Sequence, residues 1–171
     1  MKNILLIALI GFSLISCQER AAETEETTDP NLEAFERNTE TVKQFFEAFI
    51  QKDISKMRSY ITDDFIISPP SVGMDSLGIE QWQEMEQGFM DSYDDITYNN
   101  PLYFAGLDDN QKPNGDVRTY GLWNLTHLAS GREGAVKYYA VFFFNDEGKI
   151  TAHMQWYDTK DLVPAEPESV E

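Results

Sequence analysis

Between Val42 and Ile50 large apolar side chains return at helical spacing: Val42, Phe45, Phe46, Phe49 and Ile50. Thr39 or Thr41 stands where that helix needs a cap. Asp53 is placed to cap a second helix carrying Ile54, Met57, Tyr60 and Ile61. The segment "FIIS" then predicts a short strand, stopped by Pro69 and Pro70. A third helix, from Ile79 to Phe89, sets Ile79, Trp82, Met85, Glu86 and Phe89 along one side. After "YDDITYNN" the period shortens to two, through "LYFAGLDD", "DVRTYGLWNLTHLAS", "EGAVKYYAVFFFND" and "GKITAHMQWYD", with Gly, Asn and Asp at the turns. Helices followed by an antiparallel meander predict an α+β domain.

Alternation sorts the strand faces. In the last strand Ile150, Ala152, Met154 and Trp156 make an apolar side, and Thr151, His153, Gln155 and Tyr157 a polar one. Val117, Gly121, Trp123 and Leu125, with His127 at the end, share the side of the long strand that faces the helices. His153 is expected on the other side of the sheet. In strand 135–144 the core side is Val136, Tyr138, Ala140, Phe142 and Phe144. The opposite Tyr139, Val141 and Phe143 would be exposed on a monomer, which predicts a homodimer contact through the outer sheet face.

The chain's ends change the picture of its location. Met1 and Lys2 precede an apolar run from Ile4 to Ile15, too short for a comfortable membrane span and suited to a signal sequence over residues 1–16. "LISC" resembles the lipobox of bacterial lipoproteins, so Cys17 is the expected acylated N-terminus and the link to the membrane. With one cysteine in the chain, no intrachain disulfide forms. Residues 17–36 are rich in Glu and poor in large apolar groups, which predicts a disordered tether. The folded domain is expected over 37–163, and residues 164–171 form a second acidic tail. This implies an outer-membrane protein, on the periplasmic side or displayed at the surface. A net charge of −17 excludes nucleic acid as a partner, because counterion release cannot favour it.

The "TDDFIISPP" segment, the "GIEQWQEM" helix and the final "FFFNDEGKITAHMQWYD" carry a resemblance to the NTF2-like superfamily and, within it, the SnoaL-like group. The resemblance implies a cone: N-terminal helices packed on a strongly curved antiparallel sheet around a central cavity. Its members include steroid isomerases, polyketide cyclases, epoxide hydrolases, transport factors and many domains with no known activity. The base of the ketosteroid isomerase branch would fall at Ser68, its tyrosine donor at Phe46 and its protonated aspartate at Ala140. An acid common in the last strand would fall at Ala152. A hydroxyl, a phenyl and two methyls cannot do that proton chemistry.

Other candidate chemistry is sparse. His127 is the candidate base at the pocket, with His153 and the Asp63–Asp64 pair behind it. Two histidines far apart and no paired cysteines leave no metal signature, and no glycine-rich phosphate loop calls for a cofactor. Aromatic supply is the stronger feature. Trp82, Met85, Phe89, Tyr120 and Trp123 are expected to line the pocket, together with His127, Tyr138, Phe142 and Trp156. These residues predict a lipid-anchored domain that binds a small apolar or amphipathic molecule without transforming it. The alternatives are a SnoaL-like hydrolase, cyclase or isomerase, and a protein-interaction module of the envelope. A carbon-only cavity would favour binding, and a buried titratable cluster would favour an enzyme.

Overall fold

The computed structural model describes residues 29–162. Cys17, the signal sequence, the tether as far as residue 28 and the acidic tail lie outside them. The first helix, α1 (Pro30–Ile50), begins inside the stretch assigned to the tether. Asp29 caps it, accepting the Asn31 backbone N–H at 2.9 Å, with Pro30 in the first turn and Glu33 close behind. An acid, a proline and a second acid look like disorder by composition. Here they satisfy free N–H groups, preset φ and complement the helix dipole. Residues 30–36 therefore belong to the helix and not to a tether.

Helix α2 (Ile54–Arg58) is capped by Asp53, which accepts from Lys56 N–H at 2.8 Å. It stops short of Tyr60 and Ile61. Ile61 instead opens β1 (Ile61–Ser68), whose Ile61, Phe65 and Ile67 point inward. In α3 (Ile79–Ser92) the Gln81 side chain accepts the Gly78 N–H at 3.1 Å, and Trp82, Glu86 and Met90 take the buried face. The next strand, β2 (Tyr93–Leu107), starts at the head of "YDDITYNN" and not after it. Its pairing with β3 shifts register at Asp94/Thr97 and at Asn99/Leu102, around Asp95 and Asn100 with φ of 51° and 50°. Asp and Asn tolerate that left-handed geometry, so residues that read as loop are bulges that bend the strand.

Three further strands follow: β3 (Pro113–His127), β4 (Arg132–Phe144) and β5 (Ile150–Trp156). The sheet order is β1-β5-β4-β3-β2. The sheet is mixed rather than antiparallel, because β1 runs parallel to β5. Helix α3 carries the chain from β1 to the far edge, the meander walks back, and its last strand meets the open side of β1.

The helices cover one face. Phe46 of α1 sits over the sheet with ring centroids 5.0, 5.2 and 5.5 Å from Tyr98, Trp123 and Phe142. Gly121 leaves room for the Tyr98 ring, since a Cβ there would enter it. Tyr98 stacks on Trp123 at 4.4 Å and reaches the Thr119 hydroxyl at 2.9 Å. On the other face Phe104, Tyr120, Tyr139 and Trp156 form a row across four strands, with successive centroids 6.0, 4.5 and 5.3 Å apart. Tyr139, Val141 and Phe143, expected to be exposed, are half-buried. Tyr139 stands stacked between Tyr120 and Trp156, which shelter it within one chain.

Candidate functional site

The β4–β5 hairpin decides what the inner face contains. Asn145 holds its turn by accepting the Glu147 and Lys149 N–H groups at 3.1 and 2.9 Å, while Gly148 takes a φ of 74°. Phe144 then pairs with Ile150 and Phe143 with Ala152, so Thr151 is an extra residue in β5. A single added residue exchanges the faces of everything beyond it. Ile150 is buried as expected. Past the bulge His153 and Gln155 point inward, while Ala152, Met154 and Trp156 turn out. The predicted polar side of β5 is thus its core side.

These inward groups meet α1 and α3 at a cavity of about 80 Å³. Phe45, Phe46 and Phe49 of α1 form one wall, and Met85, Glu86 and Phe89 of α3 another. The sheet supplies Ile96, Trp123, Leu125, Val136 and Tyr138, then His153 and Gln155. Tyr157 and Leu162, half-buried like Met85 and Phe89, mark the side toward solvent. Most of the lining is carbon, and the polar groups are few and convergent.

Glu86 is the exception among apolar neighbours. It is 9% exposed, and burial pushes its carboxyl up to about 7. The indole of Trp82, one turn earlier, lies near enough to offset a little of this but outside good hydrogen-bond geometry. Among the described residues no positive charge contributes to the balance. The same cavity is lined by a neutral chain. The Tyr138 hydroxyl and His153 Nε2 are 2.8 Å apart, and Gln155 Nε2 approaches His153 Nδ1 at 3.5 Å. His153 is stacked on Phe142 at 4.0 Å and edge-on to Phe45, and burial pulls its pKa down to about 3. It is therefore an uncharged imidazole at physiological pH. Tyr138 is raised well above its ordinary value by burial, and Tyr157 to about 12. Glu86 alone among these groups can gain and lose a proton near neutrality.

Met85, Phe89, Trp123 and Tyr138, four of the expected pocket residues, line this cavity. Trp82 does not: it is fully buried between Phe45 and Phe65. Phe142 lies behind His153 in the packed core. Tyr120 and Trp156 stand half-exposed on the outer face, the latter moved there by the Thr151 bulge. His127 sits at the end of β3 beside Tyr93, with Nδ1 2.9 Å from the Ser130 hydroxyl, and lines no part of the cavity. Ser68 ends β1 against Asp75, and Asp63 is exposed and paired with Arg58. Sequence reasoning placed Glu86 on the apolar side of its helix and drew nothing from it. A carboxylate within an apolar stripe was the available signal. Among the described residues no three metal-binding side chains come together.

The family of SnoaL-like domains matches residues 42–153. A comparison with curated proteins finds no match. Among solved structures the chain resembles a candidate polyketide cyclase from Xanthomonas campestris, at 18% identity and a TM-score of 0.63, covering 76% of this chain and 96% of that one. A candidate isomerase from Bacillus subtilis is 14% identical, with a TM-score of 0.63 and coverage of 73% and 88%. SalBIII, an epoxide hydrolase/cyclase-like enzyme of pyran ring formation in salinomycin, is 20% identical, with a TM-score of 0.59 and coverage of 75% and 94%. At such identities the likeness is one of fold.

Proposed function

On the premise that the chain belongs to the SnoaL-like family, we propose that it takes a small amphipathic molecule into its cone and exchanges a proton with it at Glu86. One observation carries this: a buried carboxyl, without a counter-charge among the described residues, opens onto an aromatic cavity that the neutral Tyr138–His153–Gln155 chain also lines. A group poised near neutral pH suits general acid–base work, and fixed neutral hydrogen-bond partners suit the holding of a ligand oxygen. The names of the cyclase, isomerase and hydrolase-like relatives lend support by analogy of fold alone. The base is Glu86 rather than His127. The cavity of about 80 Å³ is far below the roughly 300–1,000 Å³ of pockets for drug-sized ligands, so the molecule has few heavy atoms.

Butanone is a suitable neutral probe. Titrated into the full chain, it should shift the NMR signals of Trp123, Tyr138 and Gln155 and raise the Glu86 titration midpoint, because it displaces water from the carboxyl. In D₂O its α-protons should exchange faster than in buffer, and the Glu86→Gln variant should bind it without that acceleration. Binding with exchange at the buffer rate would leave a carrier without catalysis. Absence of any shift in the cavity would sink the proposal.

We also propose that Cys17 is the lipidated N-terminus of an envelope protein, a reading supported by the short apolar run and the "LISC" box. The intact mass of the membrane-extracted protein should show acyl chains on Cys17, and Cys17→Ala should leave an uncleaved or soluble form without them. An unmodified cysteine in that mass would end the idea.

A further inference from the structure

A carboxyl this deeply buried usually has a cation beside it, and among the described residues none acts on Glu86. From α1, α2, β2 and β3 only uncharged side chains face the cavity; β4 offers Tyr138, β5 offers His153, and Tyr157 follows. The rings of Phe49, Phe89, Trp123 and Tyr138 line the same cavity as the carboxyl. Ring faces attract ammonium groups, and a carboxylate in the same cavity supplies the charge partner. The chain's net charge of −17 concentrates cations near its surface and repels anions. We infer that the molecule held in the cone is a small aliphatic amine, bound as its ammonium against Glu86. This rests on the cavity being a ligand site, as proposed above, and adds the charge of the ligand.

The protons balance simply. An ammonium entering from water displaces the Glu86 proton to solvent, and a neutral amine takes that proton directly onto its nitrogen lone pair. Either way the complex holds one carboxylate and one N–H⁺ donor. Gln155 and the Tyr138 and Tyr157 hydroxyls offer acceptors for the remaining N–H groups. Because the carboxyl titrates near 7, affinity for an ammonium should rise as pH increases through that value.

Isobutylamine and isobutanol, equal in shape and different in charge, separate the possibilities. Titrated into the full chain at pH 8 and followed by NMR shifts of the cavity residues, the amine should bind at least about tenfold more tightly than the alcohol. Glu86→Gln should bring the two to parity while still binding isobutanol, which shows that the variant is folded with its cavity intact. Isobutanol binding as tightly as the amine in the native chain would overturn the amine assignment and leave the cavity as a site for neutral ligands. If neither compound shifts a cavity residue, the ligand site itself falls and the amine with it.

Discussion

Replacing Trp82 with alanine should cost the domain about 3–5 kcal/mol, the full penalty of a packed large aromatic. Its sequence position, on the apolar side of a helix in a hollow fold, suggests a cavity wall, and a wall would cost less. The structure puts it elsewhere. Trp82 is 0% exposed, 6.4 Å from the Phe45 ring and 5.6 Å from the Phe65 ring, so contacts on all sides would be lost. Met85→Ala, on the solvent side of the cavity, should cost clearly less, since one side already lacks neighbours. Urea unfolding of the two variants measures the contrast. Equal losses, or a loss at Trp82 of about 1 kcal/mol, would mean that the indole faces empty space.

The second large effect is in the pH dependence of stability. Glu86 rises from 4.5 to about 7 on folding, so the folded state favours its protonated form. Its stabilising share is complete below pH 4.5 and is lost as pH climbs through about 7, a swing of roughly 3 kcal/mol. His153 works in the opposite sense. Its pKa falls from 6.5 to about 3, so its share is complete above pH 6.5 and is lost as pH drops toward 3, a swing of roughly 4–5 kcal/mol. Between about 4.5 and 6.5 the two slopes oppose one another. Glu86→Gln should remove the neutral limb and leave a variant more stable than the native chain at pH 8, in exchange for its proton chemistry. His153→Asn should remove the acid limb while lowering stability throughout, because Tyr138 loses its partner at 2.8 Å. Urea midpoints measured from pH 3 to 8 report both. A Glu86→Gln curve parallel to the native one at every pH would show that the carboxyl is solvated.

Much of the architecture is written in local pattern. Val42, Phe45, Phe46 and Phe49 define one face of α1 because 3.6 residues complete a turn, and that face is the buried one. Asp53 caps its helix through its own short carboxylate, and Asn145 with Gly148 closes its hairpin, each within five residues of chain. Period-two alternation along Val117, Trp123 and Leu125, and along Val136, Tyr138 and Phe142, names the inner faces of β3 and β4 correctly. Some local signals were present but spoke softly. Asp29-Pro30 starts a helix inside an acidic stretch, and Asp95 and Asn100 bend a strand while looking like loop.

What the sequence by itself determined, then, is what short-range geometry controls: the helices, the strands, their inward faces on β3 and β4, and membership in a fold with a cavity. The contents of that cavity were decided by tertiary structure. Alternation assigns β5 the wrong way round, because a bulge at Thr151 depends on how β5 meets β4 and leaves no mark in a period-two pattern. That one residue brings His153 and Gln155 inside and sends Trp156 out. Glu86 likewise acquires its character only when α1 and the sheet close over it, since desolvation comes from residues far along the chain. The direction of β1 belongs to the same class: its parallel partner is the last strand, and the sequence gives no local clue to a pairing made across the whole domain.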